Sequence, residues 1–138
     1  MKKQKITVNA IPDIINKINE QKKSAAETIS VIFITTRNYN YDWENIAVLH
    51  LDFLDVDAEI QRPGSINTNH LNQLKEFLPT IQKSDHIYVG CDRGIGRSPA
   101  VALFIAEYID STKDIQSIQD TYHFMNYTVY QYLKDHMN

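Results

Sequence analysis

Four short runs rich in β-branched and other apolar residues alternate along the chain with segments of helical periodicity. The runs occupy residues 5–8, 28–35, 47–53 and 86–89. The run at 28–35 shows no alternation of polar and apolar residues, which is typical of a strand buried on both faces of a sheet. Strands that alternate with helices are joined by right-handed crossovers into a parallel sheet. We therefore predict an α/β fold in which helices flank both faces of a central, mainly parallel sheet of four or five strands.

The helical segments are indicated by apolar residues that recur on one face and by capping residues. The first begins near Ile11, with Pro12 in its first turn. A second begins at Asn67 or Thr68, either of which can cap a helix. Three more helices are predicted over residues 98–109, 114–122 and 127–136, the last of them capped by Asn126.

Length and composition indicate one globular domain that spans residues 1–138. The chain is 43% hydrophobic and 22% charged, with four glycines and four prolines, so it is neither a disordered nor a low-complexity sequence. Its formal net charge of −3 gives no electrostatic basis for general nucleic-acid binding. We expect a monomer that does not bind nucleic acid.

No segment of the sequence predicts a membrane span or a secretory signal. The longest apolar stretch, which includes residues 101–106, is far shorter than the roughly 20 residues that cross a bilayer. Met1-Lys2-Lys3 is similar to the basic start of a signal peptide, but no apolar region follows it. A cytoplasmic protein without a membrane partner is therefore expected.

The chain contains a single cysteine, Cys91, which excludes an intrachain disulfide and a cysteine-rich zinc site. The five histidines show no repeated ligand spacing, so we expect neither a metal nor another cofactor. A lone cysteine is either a buried packing residue or a reactive thiol. Its sequence neighbours decide between the two.

Cys91 opens a glycine-containing loop between the fourth predicted strand and the third predicted helix. The pattern is Cys91-x5-Arg97-Ser98 with Gly94 in the middle. Such a loop can turn its backbone N–H groups toward an anion, and the helix N-terminus adds positive potential, so phosphate is the expected guest. The same field stabilises a thiolate, while the planar Arg97 fork can hold two phosphoryl oxygens. The residues predicted to surround the phosphate are Asp92, Arg93, Gly94, Ile95, Gly96 and Arg97, with the Asp92 side chain expected to point outward.

This loop resembles the Cys-x5-Arg-Ser/Thr signature of the cysteine-dependent protein tyrosine phosphatases, in particular their small bacterial dual-specificity-like members. The resembling core, over residues 91–102, is Cys-Asp-x-Gly-Ile-x-Arg-Ser-Pro-Ala-Val-Ala, with weaker similarity at 53–56 and at Asn126. The resemblance implies a phosphatase-like fold and hydrolysis through a phosphocysteine. It makes Cys91 the nucleophile, Arg97 the phosphate clamp and Ser98 an aid to the departing thiolate. One departure is Gly90, where the family usually has histidine.

A general acid must reach this loop from another strand end, because an alkoxide or phenolate leaving group needs a proton. The candidates lie between Asp52 and Asp57. Asp55 ranks first, because it follows a predicted strand and matches the acid-bearing segment of the family. Asp57 ranks second, and either could be a turn carboxylate. Asp52 could instead be a strand-end residue that bonds to backbone.

The leading functional hypothesis is a phosphatase for phosphotyrosine in proteins or for another, small phosphomonoester. Two alternatives stay open. A rhodanese-like sulfurtransferase also uses a cysteine in an anion-binding loop, and a non-catalytic phosphate-binding module would keep the loop without turnover. The aromatic segment at 37–43 is predicted to be a surface loop, with lining of the active-site mouth as the alternative.

Overall fold

Four parallel strands form the centre of the molecule. This computed structural model describes residues 4–21 and 27–137. The strands are β1 (Lys5–Ala10), β2 (Ile29–Ile34), β3 (Ala47–Leu51) and β4 (His86–Cys91). They lie side by side in the order β1-β4-β2-β3, and each adjacent pair is parallel. The predicted α/β architecture is confirmed, with the lower of the two expected strand numbers.

Helices cover both faces of this sheet, as predicted. They are α1 (Ile11–Gln21), α2 (Thr68–Lys83), α3 (Arg97–Tyr108), α4 (Thr112–Thr121) and α5 (Tyr127–His136). On one face, α1 and the segment between β2 and β3 pack against β2 and β4 in a cluster that includes Phe33 and Tyr88. On the other face, α3 lies against the sheet and is contacted by α4 and α5. Both central strands are consequently buried at every residue, which explains the absence of polar alternation in β2.

β1 and β4 each extend two residues beyond the predicted end. Asn9 pairs with Gly90 and Ala10 pairs with Cys91, while Ile34 of β2 lies beside Cys91 on the other side. The hydrogen bonds between strands therefore extend to residues whose individual preference for β-strands is low, and for this reason the prediction ended the strands too early. As a result, Cys91 is the last residue of a central strand, at the edge of the sheet where ligands of parallel sheets bind.

Side-chain caps fix the start of two helices. Asn67, one of the two predicted candidates, caps α2 and forms a reciprocal capping box with His70. Because His70 Nδ1 accepts the Asn67 N–H, its proton lies on Nε2, which donates to Asp52 at 2.8 Å. This bond holds the pKa of Asp52 below its ordinary value. Asp52 thus bonds to a histidine side chain in addition to its own backbone, and the backbone bond is the one considered from sequence. Asn126 caps α5 by accepting the Val129 N–H, as predicted.

The basic start, Met1-Lys2-Lys3, lies outside the described residues. Across 4–21 and 27–137, none of the helices combines the length and the apolar character that a membrane crossing requires.

Candidate active site

The loop between β4 and α3 closes around the sulfur of Cys91. This side chain is 2% exposed, and its Sγ accepts the Gly94 N–H at 3.2 Å. Ser98 Oγ lies 3.1 Å from the same sulfur, at the start of α3. A backbone N–H, a hydroxyl group and the start of α3 therefore meet at one sulfur atom.

Gly94 lets the loop pass directly against the end of β1. Its φ is +75°, and a Cβ at this position would lie 2.4 Å from the backbone nitrogen of Ala10. Any other residue would meet both the unfavourable left-handed conformation and a backbone clash. Gly94 therefore has two roles. It allows the turn and the close contact with β1, and its N–H is directed at Cys91.

Arg97 is held at two of its three nitrogens. Its side chain is nearly buried, Nη1 donates to the carbonyl of Phe53 at 2.8 Å, and Nη2 donates to Asp92 Oδ2 at 3.1 Å. The buried Nε has no hydrogen-bond partner among the described residues. A buried N–H without a partner is unusual in proteins, so this edge of the guanidinium is suited to an anion.

Asp92 does not point outward, contrary to the sequence prediction. Its Oδ1 accepts hydrogen bonds from Thr35 Oγ1 at 2.6 Å and from the Tyr39 hydroxyl at 2.8 Å, while Oδ2 faces Arg97. Partial burial raises the pKa of this carboxyl, but the three hydrogen bonds outweigh burial and hold the pKa below its ordinary value. The prediction was wrong because β2 ends beside β4, which brings the hydroxyls that follow β2 next to the residue that follows β4.

Thr35 is a site residue that sequence reasoning missed, whereas Tyr39 belongs to the segment 37–43, for which lining of the site was the alternative prediction. A signal for Thr35 existed, since it ends a run predicted to be a strand buried on both faces of a parallel sheet. The remainder of the aromatic segment is structural: Tyr41 and Trp43 stack with ring centroids 4.6 Å apart and pack on Phe33.

The structure brings Asp55 to the loop and leaves Asp57 in a local turn. A Cβ on Gly96 would lie 2.5 Å from Asp55 Oδ2, so this carboxylate borders the loop directly. Asn126 fixes the arrangement, because its side chain donates to Asp55 Oδ1 at 2.8 Å and its backbone N–H donates to the Gly96 carbonyl at 3.0 Å. Asp57 instead accepts the backbone N–H of Glu59.

The remaining loop side chains face solvent. Arg93 and Ile95 are exposed, whereas Gly94 and Gly96 are buried. Within the part of the chain that the structure describes, no group of three or more histidine, cysteine, aspartate or glutamate side chains is arranged to hold a metal ion.

Position 90 has room only for glycine, because α1 occupies the space beside it. A Cβ at this position would lie 2.6 Å from Ile14 Cδ1 and 3.1 Å from Ile11 Cγ1, and both isoleucines are 0% exposed. A histidine at this position would meet the same two side chains. The departure from the family pattern is thus matched by the close packing of α1 on β4.

We expect Gly90→Ala to lower the free energy of unfolding by about 1 to 3 kcal/mol, because the added methyl overfills a packed core. The measurement is urea unfolding, and the control is the same substitution combined with Ile14→Val, which removes the Cδ1 atom. The cost of Gly90→Ala should be smaller in the Ile14→Val background. An equal cost in both backgrounds would show that Ile14 does not limit this position.

No protein-family profile and no curated protein sequence matches the chain. Among solved structures, it is similar to PTPMT1, with 13% sequence identity, a TM-score of 0.55 and coverage of 95% of this chain and 90% of the other. It is also similar to Tk-PTP in the active form, with 13% identity, a TM-score of 0.51 and the same coverage. The four-stranded parallel sheet, the loop that follows β4 and these similarities lead to one conclusion: the chain has the fold of the cysteine-dependent protein tyrosine phosphatase superfamily.

Proposed function

We propose that this protein is a phosphatase that hydrolyses phosphomonoesters, in particular phosphotyrosine in proteins, through a phosphocysteine intermediate. The observation that supports this most strongly is the convergence of three groups at one loop. They are the hydrogen-bonded sulfur of Cys91, the Nε of Arg97, which has no partner within 4–21 and 27–137, and the carboxylate of Asp55 beside Gly96.

In the first step, Cys91 Sγ attacks phosphorus, and an S–P bond forms as the P–O bond to the leaving group breaks. Loop N–H groups and Arg97 bind the non-bridging oxygens, where charge is greatest in the transition state. Asp55 in its acid form donates its proton to the departing oxygen. The products are an alcohol or phenol and a phosphorylated Cys91.

In the second step, Asp55 accepts a proton from water as the water attacks phosphorus and the S–P bond breaks. The sulfur leaves with the bonding electron pair. Ser98 Oγ, 3.1 Å from Sγ, donates a hydrogen bond to the thiolate that is released. Phosphate then dissociates and the loop is restored.

An aromatic phosphate ester fits the surroundings of the loop. Leu54, next to Asp55, is 41% exposed, and Ile95 in the loop itself is 44% exposed. Apolar side chains that remain open at a site suit an apolar group on the substrate, such as the ring of phosphotyrosine.

The test measures phosphate release from phosphotyrosine and phosphoserine peptides, phosphoinositides and nucleotides. Rapid acid quench during turnover should trap phosphorus on Cys91. Binding of a phosphopeptide without phosphate release would instead favour a non-catalytic module. Formation of thiocyanate from thiosulfate and cyanide would favour a sulfurtransferase.

The acid assignment makes a separate prediction. Asp55→Asn should slow hydrolysis of a phosphate ester with a poor leaving group by about 100 to 10,000-fold, because the amide cannot donate the proton. An ester whose leaving group needs no protonation should be affected much less. Asp57→Asn is the matched control, since it removes the same charge two residues away. If Asp57→Asn shows the leaving-group dependence and Asp55→Asn does not, the assignment is reversed.

A further inference from the structure

We propose that Asp92 is a positioning residue that orients Arg97 by linking it to the hydroxyl groups of Thr35 and Tyr39. This inference rests on the proposed function, since Arg97 is the phosphate clamp. It assigns Asp92 a task inside the loop other than contact with substrate.

The direction of the hydrogen bonds supports this role. Thr35 Oγ1 accepts the Arg37 N–H at 3.0 Å, so its own proton is free to be donated to Asp92. Burial, followed by the neighbouring carboxylate, raises the pKa of Tyr39, so its hydroxyl keeps the proton that it donates. Both donors bind Oδ1, which leaves Oδ2 directed at Arg97 Nη2. Asp92 therefore has a fixed orientation before substrate arrives.

Two anchors then determine the plane of the guanidinium. The carbonyl of Phe53, two residues after β3, accepts a hydrogen bond from Nη1, and the Asp92 carboxylate accepts one from Nη2. Neither anchor uses Nε, the nitrogen that remains without a partner in the described protein. Because the two terminal nitrogens are held from different sides, the direction of the Nε–H bond is fixed.

The charge of Asp92 argues against direct substrate contact. A carboxylate within an anion-binding loop repels phosphate, so it weakens ground-state binding of the substrate. A fixed Arg97 compensates for this weaker binding in the transition state, where the phosphoryl group is planar. An interaction that is stronger in the transition state than in the ground state raises kcat. Loss of Asp92 should thus harm turnover far more than it harms binding.

The experiment compares three single variants, Asp92→Asn, Thr35→Val and Tyr39→Phe. It also includes two double variants, in which Thr35→Val or Tyr39→Phe is combined with Asp92→Asn. We expect Asp92→Asn to lower kcat for an aryl phosphate by about 30-fold or more while KM changes by less than about 3-fold, since a misplaced group costs turnover. The inhibition constant of vanadate, which imitates the planar phosphoryl group, should rise more than that of inorganic phosphate.

Coupling within the chain of hydrogen bonds gives a second readout. Thr35→Val and Tyr39→Phe should each lower kcat in the parent and have little further effect in the Asp92→Asn background, because they act through Asp92. Thr35→Ser, which keeps the hydroxyl, should retain activity. Tyr108→Phe, at the far end of α3, is the control for loss of a tyrosine hydroxyl and should match the parent. If circular dichroism shows that Asp92→Asn does not fold, the inference is tested with Thr35→Val and Tyr39→Phe, which remove a hydroxyl, and with Thr35→Ser, which keeps it.

Three results would overturn the inference: unchanged kcat in Asp92→Asn, equal weakening of vanadate and phosphate, or multiplicative losses in the double variants. Failure of the proposed function is recognised separately, by absence of phosphate release from the parent protein. In that case, vanadate and phosphate binding to the parent and to Asp92→Asn, measured by calorimetry, still decides the role of Asp92. Preferential loss of vanadate binding supports it, and equal or no loss contradicts it.

Discussion

Replacing Cys91 with serine is expected to reduce phosphate release from an aryl phosphate by about 10,000-fold or more, because a serine hydroxyl is not ionised near neutral pH and is a far weaker nucleophile. The fold should persist. Oxygen is smaller than sulfur, and the Gly94 N–H and the Ser98 hydroxyl, both within hydrogen-bond distance of Sγ, can donate to it. The measurement is steady-state turnover, with the thermal midpoint as the check on folding.

Binding provides the control for this substitution. Cys91→Ser retains the loop backbone and Arg97, so it should still bind a phosphotyrosine peptide that it does not hydrolyse. Hydrolysis near the parent rate would falsify the assignment of Cys91 as the nucleophile. A parent thiol that iodoacetate modifies only after denaturation would do the same.

Arg97→Lys is expected to lower kcat/KM by about 1,000-fold, although the positive charge is kept. A lysine ammonium is a point charge, whereas the guanidinium binds Phe53 and Asp92 through two nitrogens. In the proposed mechanism its third nitrogen is left for a phosphoryl oxygen. The loss should appear mainly in kcat, because the contact is strongest when the phosphoryl group is planar.

Comparison with Arg93→Lys isolates this geometric effect. Arg93 lies in the same loop but is exposed, so the same chemical change should cost much less there. If Arg97→Lys reduces kcat/KM by less than about tenfold, the Arg97 guanidinium is not the main source of transition-state stabilisation.

Local sequence was sufficient to place the parts of the site that depend on short-range structure. The apolar runs predicted β2 and β4, and the chain from His86 to Ile109 predicted a strand, a loop and a helix in the order that the structure has them. Gly94 was predicted as a loop residue, and its positive φ and its close approach to Ala10 are conditions that favour glycine.

Contacts between distant parts of the chain could not be predicted in this way. The direction of Asp92 depends on Thr35 and Tyr39, which follow another strand, and loop composition carries no information about them. Similarly, Asn126 was predicted as a helix cap, but its hydrogen bond to Asp55 spans half the chain. Side-chain orientation at the edge of a sheet is decided by the neighbouring strand end, and the order of strands is a property of the whole fold.

The close approach of Gly94 to Ala10 also bears on how the site arises during folding. The loop that follows Cys91 rests on the last residues of the first strand, and the pairing of Ala10 with Cys91 joins positions separated by more than half of the sequence. Contacts of such large separation carry a high entropic cost of loop closure and tend to form late. The motif from Cys91 to Ser98 is continuous in sequence, yet a nascent chain that contains all of it does not hold the loop in place until β1 and β4 meet. The environment that we propose for the sulfur is therefore complete only when the fold is complete.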